Sequence, residues 1–235
     1  MNICVTIPTY NESENIKSLI EEIRQVLPIA SILVVDDSSP DGTSNIVESI
    51  QKADSKIHLL TRPSEVRGRG WAGRDGFIKA LELNADFIVE MDADFSHHPK
   101  YLNNLLEPLV KEQMDVTIGS RYIKGGSDME RPRYRKWISF CAQKYLSLIL
   151  GFKVQDPTSG YRAFTRKALE KIHVQTLKSR DPFIVTEVLY RCYKGHLKIK
   201  EVPIKFVDRN KGNSKLKSTT LIKYLISALF LPFSA

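Results

Sequence analysis

Asp92 and Asp94 stand two residues apart, behind an apolar run, Phe87-Ile88-Val89, and ahead of Pro99. The run reads as a buried strand, and the proline suits the first turn of a helix. If the chain is still extended at that point, both carboxylates project to the same side. Such a pair suits a hard divalent cation, Mg²⁺ or Mn²⁺, which takes one or two protein carboxylates and completes its shell with water and substrate phosphate oxygens. The same acids, with Ser96, would also serve as a cap for the following helix, and the pair alone does not decide between the two. Asp36 and Asp37 pose a similar choice. One carboxylate there could accept hydrogen bonds from the base or ribose of a nucleotide. An Asx turn and helix cap through Ser38-Ser39-Pro40-Asp41-Gly42 would account for them equally well.

The elements that must position these acids alternate along the chain. Short apolar strands are expected at 2–7, 31–35, 57–60, 87–89 and 115–118. Between them, Ile16, Leu19, Ile20, Ile23 and Leu27 recur at helical spacing, as do Ile46, Val47 and Ile50, then Phe77, Ile78 and Leu81, then Leu102, Leu105, Leu106 and Leu109. Strands alternating with helices of this length predict an α/β fold, a Rossmann-like, mainly parallel sheet with helices on both faces. The polar segments 8–14, 36–43, 92–98 and 119–122 follow strands and converge on one rim. In an open α/β sheet that rim is where ligands bind. Beyond Gly126 the pattern changes to a helix over 131–150, basic at its start and apolar at its end, and a polar turn over 156–162. Helices follow near 167–172 and 183–193, then late strands within 197–207, a charged loop over 208–218 and an apolar segment over 221–233. That last segment is shorter than the roughly 20 residues a bilayer-spanning helix needs.

Composition narrows the classes. At 235 residues the chain has ample length for a core, and its net charge of +8 arises without one long basic tract. That charge suits nucleic acid, an anionic membrane surface or phosphorylated ligands. A non-catalytic basic module is the alternative to an enzyme, but the acids at Asp36, Asp37, Asp92 and Asp94 would repel a nucleic-acid backbone, so no nucleic-acid partner is expected. Cys4, Cys141 and Cys192 lack metal-site or disulfide-framework spacing and read as reduced thiols. With a strand expected at 2–7 and no basic segment ahead of an apolar one, no secretory leader is expected, and the protein is expected to stay in the cytoplasm.

Several motifs in one order carry a resemblance. They are Pro8-Thr9-Tyr10-Asn11-Glu12, Val35-Asp36-Asp37-Ser38-Ser39-Pro40-Asp41-Gly42-Thr43, Asp92-Ala93-Asp94-Phe95-Ser96-His97-His98-Pro99, Gly119-Ser120-Arg121-Tyr122, Ser159-Gly160-Tyr161-Arg162 and Arg209-Asn210-Lys211-Gly212-Asn213-Ser214-Lys215. Together they resemble the family 2 glycosyltransferases, and among them the dolichyl- or polyprenyl-phosphate mannose synthases. The resemblance implies a glycosyltransferase A-type fold that binds GDP-mannose and transfers mannose, with inversion, to a dolichyl or polyprenyl phosphate. It implies that Pro8, Tyr10, Glu12, Val35 and Asp37, within the Asp36-Asp37 acidic pair, hold the nucleoside. Asp92, Ala93 and Asp94 would hold the metal diphosphate, with Mg²⁺ or Mn²⁺ on Asp92 and Asp94. Arg121 would face the junction of donor and acceptor, Arg135 and Ser139 would meet the acceptor phosphate, and Arg209 and Lys215 would close over the donor phosphates. UDP-glucose with the same lipid is the alternative donor.

Two departures from the usual pattern stand out. Ser96 occupies a place where some members carry Gln, and 68–76 reads Gly-Arg-Gly-Trp-Ala-Gly-Arg-Asp-Gly in place of Gly-Leu-Gly-x-Ala. Arg74 and Asp75 in that stretch suit either a sugar-reading pair or a surface ion pair. The expected organisation is a single catalytic domain over 1–216 and a membrane-associating segment over 217–235, the whole peripheral on the cytoplasmic face of a membrane, with no spanning helix in this chain.

Overall fold

The structure, a computed structural model, describes residues 1–128, 133–206 and 218–234; the side chains of 133–136, 218–222 and 234 are not described. Among the described residues, seven strands form one sheet: β1 (Ile3–Thr9), β2 (Ser31–Asp36), β3 (Ile57–Thr61), β4 (Phe87–Glu90), β5 (Val116–Ser120), β6 (Arg162–Thr165) and β7 (Ile199–Pro203). Their order is β3-β2-β1-β4-β6-β5-β7. The chain builds outward from β1 through β2 to β3, then returns to place β4 on the other side of β1. That reversal opens a crevice beyond the carboxyl ends of β1 and β4.

The helices cover both faces, as the alternating pattern predicts. On one side α1 (Ile16–Val26) and α4 (Leu102–Lys111) pack Ile16, Leu19, Ile23, Leu105 and Leu109 against Val5, Ile7, Ile32, Val34 and Val89. On the other, α3 (Arg69–Glu82) and α7 (Ile184–Lys194) pack Ala72, Phe77, Ala80, Val188 and Leu189 against Cys4, Leu33, Val35 and Ile88. Neighbouring residues of β1, β2 and β4 thus face opposite layers, and these strands read as continuous apolar runs because neither face is left to water. Two further helices, α2 (Thr43–Ala53) and α6 (Arg166–Lys171), complete the outer layers. Cys4 and Cys192 are buried free thiols, their pKa values pushed up to about 12 by desolvation, and Cys141 is an exposed free thiol.

One strand departs from the sequence reading. β6 begins at Arg162, the last residue of the expected polar turn over 156–162, and it runs antiparallel between β4 and β5, with Arg162 opposite both Glu90 and Ile118. Four residues led by an arginine carry no strand periodicity. The sheet accepts that arginine because its guanidinium donates to the Val185 carbonyl at 2.6 Å and the Pro157 carbonyl at 2.8 Å.

The last helix, α8 (Ser218–Ser234), is two-sided. Ala228 and Leu231 are buried in the same core as Leu146 of α5 (Arg133–Leu150), Tyr145 Oη donates to the Leu225 carbonyl at 3.0 Å, and the Tyr224 hydroxyl bonds Thr186. The opposite face exposes Ile226, Leu229, Phe230 and Phe233, and α5 exposes Trp137, Ile138, Phe140 and Leu148. Among the described residues no helix is long and apolar enough to cross a membrane. The charged loop lies outside the described residues, apart from Ser218 itself.

Because the inner face of α8 belongs to the core, Leu231→Ala should destabilise the protein by about 2–4 kcal/mol, the usual cost of truncating a buried leucine. Phe233→Ala, at a side chain 88% exposed, should stay within about 0.5 kcal/mol. Urea unfolding of the two variants checks the contrast, and equal effects would mean that α8 is not docked.

Candidate active site

The crevice is built from the loops that leave β1, β2, β3 and β4. At the end of β2 the two adjacent acids have separate roles. Asp36 is fully buried and accepts from Thr9 Oγ1 at 2.8 Å, Ser39 N at 2.8 Å, Ser39 Oγ at 2.6 Å and Ser44 Oγ at 2.7 Å. Four donors satisfy a carboxylate, so Asp36 anchors the loop. Asp37 turns to the other side. It pairs with the buried guanidinium of Arg62 and accepts the Gly68 amide at 2.9 Å, which leaves lone pairs over for a ligand. Arg62 also binds Asp75 Oδ2 at 2.8 Å, and Asp75 in turn takes Arg74 at 3.1 Å. Arg74 and Asp75 are therefore an ion pair.

Pro8 and Val35 are buried beside this loop, and Tyr10 and Glu12 are half-buried. The ring of Tyr10 carries the Arg67 guanidinium 5.0 Å from its centroid, and Arg67 is steadied by the carbonyls of Asp37 and Ser38, each at 2.9 Å. Glu12 accepts from Asn15 Nδ2 at 2.9 Å, and its amide donates to Thr43 Oγ1 at 3.0 Å, which ties the β1 loop to the start of α2.

At the end of β4 the chain folds back on itself. Phe95 takes a left-handed conformation with φ 62°, and the Asp92 amide donates to His97 Nδ1 at 3.0 Å. His97 is buried and stacked on Tyr161 with centroids 4.9 Å apart. Desolvation first, with Arg69 and Arg121 adding to it against the pull of Asp92 and Asp94, lowers its pKa and favours the neutral ring. An accepting Nδ1 then places the proton on Nε2. Ser96 donates to Asp94 Oδ1 through its amide at 3.1 Å and its hydroxyl at 2.6 Å, so it orients that carboxylate.

Asp92 Oδ1 accepts from Arg69 NH2 at 3.1 Å, while Arg69 NH1 donates to the buried Glu90 at 2.8 Å. Burial alone would lower the pKa of Arg69, but Glu90 and Asp92 hold it above its ordinary value. Among the described residues no three His, Cys, Asp or Glu side chains gather as a metal cage. The donor set of Asp92 and Asp94 fits a hard cation that draws its other ligands from water and phosphate.

Arg121 follows β5 and is committed to Asp156. Nε donates to Asp156 Oδ2 at 2.7 Å and NH2 to Oδ1 at 2.8 Å, a bidentate pairing that the Arg121 amide extends at 3.0 Å. Thr158 Oγ1 takes NH2 as well, at 2.9 Å, and the rings of Tyr122 and Phe206 lie 5.1 and 5.3 Å from the guanidinium. Burial would raise the Asp156 pKa, yet the Arg121 charge and these hydrogen bonds outweigh it and leave the carboxyl below its ordinary value.

The structure thus brings Pro8, Tyr10, Glu12, Val35 and Asp37 to one flank and Asp92, Ala93 and Asp94 to the next. Ser139 is half-buried on α5, Arg135 lies in the first turn of that helix with its side chain not described, and Arg209 and Lys215 lie outside the described residues. The arginine partners Arg62 and Arg69, the acid Glu90 and the buried His97 escaped the sequence reading. The one signal was the glycine spacing of 68–76: a Cβ on Gly73 would lie 2.7 Å from Glu90 Oε1 and 3.0 Å from Arg69 NH1.

Several known proteins resemble this chain. The chain is 38% identical to an undecaprenyl-phosphate mannosyltransferase of Micrococcus luteus over 92% of its own length and 88% of that protein's. It is 38% identical to a polyprenol monophosphomannose synthase of Mycolicibacterium smegmatis, covering 92% of this chain and 82% of the other. A dolichol-phosphate mannosyltransferase of Pyrococcus furiosus is 37% identical over 96% of this chain and 62% of its own.

Among solved structures, glucosyl-3-phosphoglycerate synthase of Mycobacterium tuberculosis with Mn²⁺, UDP and glucosyl-3-phosphoglycerate superposes with TM-score 0.71 at 21% identity, covering 97% of this chain and 78% of the other. A mannosyltransferase of Pyrobaculum calidifontis in complex with GDP-Man and Mn²⁺ superposes with TM-score 0.58 at 17% identity, covering 97% and 69%. Those two likenesses establish the glycosyltransferase A-type fold. Residues 4–173, which hold all of β1 but Ile3, β2 to β6 and every acid of the crevice, match the profile of Glycosyl transferase family 2, and the chain belongs to that family.

Proposed function

We propose that the chain transfers mannose from GDP-mannose to a dolichyl or other polyprenyl phosphate, giving a β-linked lipid-phosphate mannose and GDP. The observation that carries this reading is the Asp92–Asp94 pair at the β1/β4 crevice of a chain 37–38% identical to three proteins named for making such lipids. The Pyrobaculum protein shows that a fold of this kind accommodates GDP-Man with Mn²⁺.

On this reading Pro8, Tyr10, Glu12, Val35 and Asp37 hold the nucleoside. Asp92, Ala93 and Asp94 hold the diphosphate through Mg²⁺ or Mn²⁺, and Arg209 and Lys215 close over it. A divalent cation bound there supplies charge neutralisation for the departing diphosphate. Arg121, Arg135 and Ser139 hold the acceptor phosphate. The Asp156 pairing fixes the plane of the Arg121 guanidinium through Nε and NH2, and the other terminal nitrogen, NH1, is the donor assigned to the acceptor.

No protein base is required. A hydroxyl acceptor must lose a proton as it attacks, whereas a phosphate monoester with a second pKa of about 6 is already largely dianionic near pH 7. Two acids in the second half of the chain that could have served as a base support this reading. Asp156 is saturated by Arg121 and Thr158, and Glu187 by the amides of Lys178 and Ser179, the Ser179 hydroxyl and Arg191. Asp181 caps the Phe183 amide at 2.9 Å. In-line attack opposite the leaving group inverts the α-linked donor.

Residues 1–216 carry the catalysis on this account, and 217–235 supply the lipid contact. The exposed apolar faces of α5 and α8 rest on the cytoplasmic face of a membrane, where each nearby Lys or Arg adds about 1 kcal/mol at an anionic surface.

Three outcomes test the proposal. Asp94→Asn should abolish mannose transfer from GDP-mannose to a short-chain polyprenyl phosphate while leaving thermal unfolding within a few degrees of wild type; full activity with Mg²⁺ or Mn²⁺ would remove the metal assignment. Asp181→Asn should leave the single-turnover rate within a few fold, with the wild-type rate rising once with pH, near the second pKa of about 6 of the acceptor phosphate. A loss of about 10²-fold or more in that variant, with donor binding unchanged, would mean that a base exists. Phe230→Glu with Phe233→Glu should cut binding to anionic liposomes at least ten-fold without unfolding the protein. Unchanged binding would rule out α8 as the lipid contact.

A further inference from the structure

Arg69 lies on the first turn of α3, inside the 68–76 stretch that departs from the usual pattern of its family, and the transfer mechanism above gives it no task. Its guanidinium joins two acids of different kinds. NH1 binds Glu90, the buried last residue of β4, and NH2 binds Oδ1 of Asp92, two residues further on and partly open to solvent. The first contact fixes the guanidinium to the sheet, so the second is imposed on Asp92.

The backbone enforces the same placement. The Gly70 amide donates to the Arg180 carbonyl at 2.9 Å, and a Cβ at Gly70 would stand 2.2 Å from the Ser179 carbonyl oxygen, so only glycine lets the start of α3 dock there. Gly73 clears the space that Arg69 and Glu90 share, where any Cβ would meet both side chains. A fixed cation on Asp92 is therefore built in at three levels: ion pair, docked loop and cleared volume.

A monovalent guanidinium and a divalent metal ion contend for the same carboxylate. Without a third partner their repulsion weakens the metal, and a diphosphate changes the sign of the problem because its negative charge attracts both. We propose that Arg69 keeps the cation site weak until a nucleoside diphosphate arrives, so that metal and donor enter Asp92–Asp94 together. Arg69 is thus a positioning residue that couples metal binding to nucleotide binding. The proposal rests on the reading of Asp92 and Asp94 as the metal-holding pair. By linkage, whatever affinity the nucleotide lends the metal, the metal lends the nucleotide.

The test is a titration of the full chain with Mn²⁺, free metal being read by electron paramagnetic resonance, without nucleotide and with saturating GDP or, in a parallel arm, UDP. Wild type should bind Mn²⁺ weakly alone and much more tightly with nucleotide. Arg69→Gln should bind Mn²⁺ alone at least ten-fold more tightly, and the enhancement by nucleotide should shrink by a similar factor. Because that substitution leaves Glu90 buried without its cation, the double variant Arg69→Gln with Glu90→Gln, which keeps a neutral hydrogen-bonded pair, should also bind Mn²⁺ alone more tightly than wild type, though by less, since a negative charge near the site is lost with the positive one. Arg69→Lys, which retains the charge, should restore the wild-type ratio. If either Gln variant folds and binds Mn²⁺ as wild type does, while Asp94→Asn loses the metal, Arg69 has no such role and the metal assignment stands. If wild type binds no Mn²⁺ with or without nucleotide, both the coupling and the metal assignment are wrong.

Discussion

Carboxylates gathered at one edge of a sheet must be compensated before any substrate arrives, and that requirement shapes the rest of this protein. Arg62 meets Asp37 and Asp75, Arg69 meets Glu90 and Asp92, Arg121 meets Asp156, and Arg191 meets Glu187. Removing one partner from the most buried of these, such as Arg62–Asp37 or Arg121–Asp156, typically costs about 3–5 kcal/mol, because the other charge is left desolvated and alone. The pairs are thus conditions for folding as well as features of the site. They also sort the acids by availability: Asp36, Asp156 and Glu187 are saturated from within, whereas Asp37 retains lone pairs and Asp92 with Asp94 line the crevice.

The same sorting explains how one scaffold supplies both rigidity and an open site. The acids that fix loops lie where helices and strands bury them, and their donors come from the loop itself, as Ser39 and Ser44 serve Asp36. Ser96 orients Asp94 and Arg69 orients Asp92, the acids assigned to ligand, on a loop turned back by the left-handed Phe95. His97 closes that turn from inside by accepting the Asp92 amide.

Much of this architecture was legible in the chain. Helices α1 to α4 follow the periodic apolar positions, and β1 to β5 follow the short apolar runs, because local pattern and tertiary burial agree there. β6 was not legible, since its arginine is tolerated through the carbonyls of Pro157, in the turn just before it, and of Val185 on α7. The acids and their order along the chain were readable, and so was the rim on which they converge. Which of Asp36 and Asp37 faces the crevice was not, because the alternation of adjacent side chains depends on where β2 ends. The arginine partners were hidden for a related reason: Arg69 reaches Glu90 across 21 positions, and only the register of β4 beside β1 and the docking of α3 bring them together. The two-sided character of α8 lay between these cases, its apolar content plain and its docked face set by Tyr224, Ala228 and Leu231.

On the proposed function, the β1, β2 and β4 loops form a guanosine diphosphate site completed by a divalent cation. Calorimetric titration of the purified chain with GDP and with UDP, each with and without Mn²⁺, addresses it directly. The account predicts binding of GDP that strengthens at least ten-fold with Mn²⁺ and exceeds that of UDP. Preference for UDP would make this a glycosyltransferase with a different donor, and the absence of any metal-dependent binding by either nucleotide would contradict the account.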